Sequence, residues 1–87
     1  MDINTLGRLS ASERDEVEEM RSDFIKMVLT SNASDGFDFM NKYHVGMHKN
    51  FYYIFEKQTK KKFGSFRSRS KAVMDALFTD AVQNYGR

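Results

Sequence analysis

Apolar residues along this chain recur mostly at spacings of three and four, the signature of helices with one buried face. Val17, Met20, Phe24, Met27 and Val28 share one such face, and Val73, Met74, Leu77, Phe78, Ala81, Val82 and Tyr85 form another, broader one. Between them, Phe37, Met40, His44, Met47, Phe51 and Ile54 alternate spacings of three and four in the manner of an a/d seam. Tyr43, Tyr52 and Phe55 widen that seam, as suits a central helix packed by two neighbours.

The polar positions set the boundaries. Ser10 with Glu13 three residues on reads as a capping box, with Ser12 and Asp15 as a second register. Glu13, Asp15, Glu16, Glu18 and Glu19 follow, where a helix N-terminus favours negative charge, so the cluster reads as a solvated, dipole-matched face. A first helix is expected over 11–31, preceded by a short N-terminal turn through Ile3, Leu6 and Leu9. Ser31 to Gly36 is a break by composition, with Ser34 or Asp35 able to cap the next helix and Asp38 in its first turn. The second helix is expected over 36–60. Gly46 inside it costs about 1 kcal/mol relative to alanine, which points to close approach of another backbone. Phe63-Gly64-Ser65 ends the pattern, and a third helix is expected over 67–84 with Gly86 as its cap. The expected fold is all-α: a three-helix bundle forming a single helical domain over 1–87.

Composition agrees with helix, since the 87 residues include no proline and only five glycines. A chain this short buries about 60–65% of its unfolded surface, so the core is thin and self-association is a common remedy. A homodimer through the second helix would use the same seam. There is no cysteine, hence no disulfide or thiolate metal site. No run approaches the roughly 18 apolar residues of a membrane span, and the N-terminus lacks the apolar core of a secretion signal, so a cytoplasmic location without membrane contact is expected.

Charge changes the picture. Net charge is only +2, yet residues 1–38 carry nine acids and four bases while residues 39–87 carry ten bases and three acids. The stretch Lys57 to Lys71 concentrates this excess, with seven cations and no acid. Lys57, Lys60, Lys61 and Lys62 suit the C-terminal end of the second helix. Arg67, Arg69 and Lys71, by contrast, fall in the first turn of the expected third helix, where the dipole is already positive. An anion would relieve that cost, through the arginines and the hydroxyls of Ser65, Ser68 and Ser70. Phe63 and Phe66 interleave the cations, and Tyr52 and Tyr53 lie just upstream, an aromatic and cationic mixture of the kind single-stranded nucleic acid uses.

The candidate contact set is therefore Lys57, Lys60, Lys61, Lys62, Arg67, Arg69, Lys71, Ser68, Phe63 and Tyr53. His44 and His48 would share a helical face, but they lack a third ligand within local reach, so no metal is assigned. No nucleophile-and-base pair and no phosphate-binding glycine loop is visible, and neither an enzyme nor a cofactor is expected. Two readings follow. One is a small regulatory protein that contacts DNA or RNA phosphates through a basic helix–helix junction at 57–71. The other is a protein-interaction module, an adaptor or inhibitor, that meets an acidic protein surface through its polarised charge and its Met/Phe/Tyr seam.

Overall fold

The structure, a computed structural model, describes residues 9–31 and 36–84. It is a mixed α and β fold. Helix α1 (Ala11–Thr30) leads to a short helix α2 (Gly36–Lys42), then strands β1 (Tyr43–His48), β2 (Phe51–Glu56) and β3 (Lys62–Ser68), and finally helix α3 (Lys71–Asn84). The strands form one antiparallel sheet in the order β1-β2-β3. The all-α three-helix bundle expected from the spacing is therefore incorrect. Its first and third helices exist as α1 and α3, but the second, expected over 36–60, is a helix of seven residues followed by a hairpin.

The physical reason is local. Phe51-Tyr52-Tyr53-Ile54-Phe55 is a run of aromatic and β-branched residues, which favour a pleated, half-buried surface over a helix. Lys49 and Asn50 take positive φ of 51° and 72°, the two-residue turn whose twist suits an antiparallel hairpin. Asparagine tolerates that region, and β1 pairs with β2 without interruption from Tyr43↔Glu56 to His48↔Phe51. Gly46 is thus a strand glycine rather than a helix crossing. It sits opposite Tyr53, and a Cβ there would meet Phe55 Cδ2 at 3.0 Å.

Both long helices begin as their residues dictate. The Ser10 side chain accepts from the Glu13 amide at 3.2 Å, and the Ser10 amide donates to Glu13 Oε1 at 2.9 Å, completing the capping box of α1. At α3 the cap is Ser70, whose hydroxyl oxygen accepts from the Val73 amide at 3.4 Å. Helix α3 starts at Lys71 rather than 67, because Arg67 and Ser68 continue β3. The expected N-terminal turn at Ile3 and Leu6, the caps at Ser34, Asp35 and Gly86, and Tyr85 lie outside the described residues. Leu9 is described and belongs to the core.

That core lies between the helices and one face of the sheet. Phe24 of α1 is its hub, fully buried and in edge-to-face contact with Phe39, Phe63 and Phe66 at centroid distances of 6.4, 5.9 and 5.3 Å. Such geometry adds about 0.5–1.5 kcal/mol per pair beyond area burial. Val17 and Val28 join from α1, Tyr43 and Ile54 from the sheet, and Val73, Met74, Leu77 and Ala81 from α3. Asp80 is buried on α3 and lies 3.4 Å from Arg21 Nε of α1, an ion pair that ties the two long helices. Among the described residues no helix is long and apolar enough to cross a membrane.

Candidate nucleic-acid interface

Side chains alternate along a strand, so the residues between those of the core face the other way. Tyr43, Val45, Tyr52 and Ile54 pack toward the helices. Their neighbours His44, Gly46 and His48 on β1, and Phe51, Tyr53 and Phe55 on β2, are cross-strand partners on the opposite, outer face. Arg67 of β3 pairs with Tyr53 and joins them. Between Tyr53 and Phe55 the register slips: Tyr53 faces Arg67, but Phe55 faces Lys62. The extra β3 residues form a bulge bent at Gly64 (φ 68°), which lets Phe63 and Phe66 both pack with the core. Lys62 and Arg67 are left on the outer side of that bulge.

Cations lie over two of the three β2 rings of this face. Lys62 Nζ stands 4.1 Å from the Tyr53 ring centroid, and the guanidinium carbons of Arg67 and Arg69 stand 4.5 and 5.3 Å from the Phe51 centroid. Tyr53 is only 7% exposed, yet it takes no part in the hydrophobic core cluster; the side chains of the outer face cover it. His48 and Phe55 flank its ring at 6.3 and 5.8 Å. A hydrogen bond from Arg67 holds the Tyr53 phenol below its usual range, helped by the charges of Lys62 and Arg67 and opposed by burial. The face is thus a row of three aromatic rings with His44 and His48 along one side and Lys62, Arg67 and Arg69 along the other.

The ten residues singled out from the sequence divide into three groups. Lys62, Arg67, Arg69 and Tyr53 come together on the outer face. Lys57, Lys60 and Lys61 are exposed on the turn between β2 and β3, where Lys60 takes φ 65° and donates its amide to the Glu56 carbonyl at 2.8 Å. No helix ends there, so the expected basic helix–helix junction is instead a strand turn and an edge strand. The remaining three are committed elsewhere. Phe63 is buried against Tyr43 and Phe39 at 4.9 and 5.5 Å. Ser68 is buried, donates to Glu16 Oε1 at 2.7 Å and accepts from the Ser70 amide at 3.0 Å. Lys71 donates to Asp75 Oδ2 at 2.7 Å, which raises its pKa. Only Lys71 of the three cations placed against the helix dipole actually sits in the first turn of α3, and Asp75 offsets it.

Sequence reasoning assigned Phe51, Phe55 and His44 to a helical seam rather than to a contact face, and weighed His44 and His48 as metal ligands. The signal was present as a period of two: Phe51, Tyr53 and Phe55 on β2, Arg67 near the end of β3 and Arg69 just beyond it. Among the described residues no group of three histidines, cysteines or acids could hold a metal ion. Comparison of the chain with protein-family models, with curated protein sequences and with solved structures returned no match, so the chemistry of the face itself carries the functional reading.

Proposed function

We propose that this protein is a non-enzymatic nucleic-acid-binding module that contacts its target through the outer face of the sheet. The observation that carries the reading is the aromatic row on the side of the sheet away from the helices, with cations over two of its three rings. A guanidinium held over a ring is restrained in place, and its five N–H donors leave several for phosphate oxygens even at Arg67, which gives one to Tyr53. Lys57, Lys60 and Lys61, exposed on the adjoining turn, extend the positive surface along the path of a backbone. An acidic protein surface would engage the same cations, but it would make no particular use of aromatic rings arranged in a row.

Fluorescence anisotropy with labelled DNA and RNA oligonucleotides across a salt series tests this. Three to six phosphate contacts give a slope of log affinity against log salt of about −2 to −4 for single strands. Arg67→Glu with Arg69→Glu should lower affinity at least tenfold and flatten that slope while the far-UV circular dichroism is retained. Unchanged affinity in the folded double variant would reject the face as the binding surface. Absence of binding at low salt would turn attention to an acidic protein partner.

A further inference from the structure

The three rings of β2 are not equivalent, and the difference bears on what kind of strand they meet. Phe51 lies under Arg67 and Arg69, and Tyr53 under Lys62. Phe55 is half-buried, and among the described residues no cation is placed over it. Its ring edge rests on Gly46, where an added Cβ would come within 3.0 Å of Cδ2 and 3.2 Å of Cε2. The missing side chain at Gly46 is what lets the ring lie low on the sheet. Beside it is an open cavity of about 350 Å³ bounded by His44, Gly46, Met47, His48, Phe55 and Lys60. The His44 ring lies 5.9 Å from Phe55 and 31° from its plane, a second ring lining that cavity. Lys60, exposed on the rim, supplies positive charge for a neighbouring phosphate.

We infer that Phe55, with His44, Gly46 and His48 around it, is a stacking site for one unpaired nucleobase, and hence that the target is single-stranded. The inference rests on the nucleic-acid reading above and adds to it. In a duplex the faces of the bases are occupied by their neighbours, and only edges are offered to a protein. A vacant aromatic ring in a cationic surface therefore selects a strand whose base can leave the stack. The outer face thus divides its work. Phe51 and Tyr53 orient cations toward phosphates, while Phe55 receives a base.

The test compares three probes by anisotropy at one salt concentration: a 15-nucleotide deoxythymidine strand, a strand of the same length built wholly of abasic sites, and a duplex of that length. The expected order is the thymidine strand first, with the abasic strand and the duplex both bound more weakly. Phe55→Leu keeps an apolar group over Gly46 but removes the ring. It should lower affinity for the thymidine strand by about 5- to 150-fold, the range for loss of one stacked base, and bring the ratio of thymidine to abasic affinity close to one. Equal binding of the thymidine and abasic strands by the unaltered protein would overturn the stacking site while leaving the phosphate-binding reading intact. That comparison needs no variant to fold. A preference for the duplex would likewise overturn it. Failure of all three probes to bind would overturn both readings together.

Discussion

Glu13 does more than its place in an acidic run suggests. It completes the cap of α1, and it also accepts a hydrogen bond from the Ser70 hydroxyl at the start of α3. Ser70, and then Ser10, hold its carboxyl below the usual range against the opposing effect of desolvation. A carboxylate with a depressed native pKa stabilises the fold above its unfolded value, here about 4.5, and loses that contribution as pH falls through the lower native value. Urea unfolding at pH 6 and pH 3 should therefore show a loss of stability on acidification that is smaller in Glu13→Gln than in the unaltered protein. Equal losses would mean that the carboxylate is not coupled to folding. Glu16 and Ser68 repeat the arrangement one turn along α1, with a buried hydroxyl as the donor. An acidic helix N-terminus is legible in sequence; that two of its carboxylates reach the β3–α3 junction is not, because each partner lies more than fifty residues away.

At the scale of elements, α1 was legible because its capping box and apolar spacing agree, and α3 from its apolar spacing alone. The middle of the chain was not, because His44, Met47, Phe51 and Ile54 satisfy a spacing of three and four while also alternating across a hairpin. Backbone propensity and the Lys49-Asn50 turn decide between the two, and both favour strands. The cationic stretch was legible as an anion-contact candidate. Its partition between an outer face and a core was hidden by the bulge, which lets Phe63 and Phe66, three apart, both turn inward while Lys62 and Arg67 stay outward. Gly64 makes that bulge possible. An alanine there would hold a positive φ of 68°, and its Cβ would lie 2.6 Å from Met27 Sδ and 2.8 Å from the Phe66 ring. Gly64→Ala should cost about 1–3 kcal/mol in urea unfolding. Gly46→Ala should cost less, since its backbone φ is ordinary and the half-buried Phe55 ring can tilt away. Equal losses at the two positions would argue against the bulge as the more constrained site.

Across the whole molecule the sheet separates opposite charges. The acids of α1 lie on the helical side with the core, and Lys62, Arg67 and Arg69 lie on the other. Under the proposed function, that separation would turn an approaching polyanion toward the cationic face before contact. Hydrogen exchange with a bound oligonucleotide should slow amides of β1, β2, β3 and the 57–61 turn while leaving the middle of α1 unchanged. Protection centred on α1 would place the target on the wrong side of the sheet. The carboxylate clamps between α1 and the β3–α3 junction span 52 and 57 residues, and this separation also sets an order of events during synthesis. At about 5–20 residues per second, roughly three to ten seconds pass between translation of Glu13 and Glu16 and translation of the serines that bond them. Phe24 is made before Phe39, Phe63, Phe66 and α3, so its packing shell is complete only once α3 has followed. Until then α1 presents an amphipathic face with Phe24 uncovered, a segment open to a ribosome-associated chaperone.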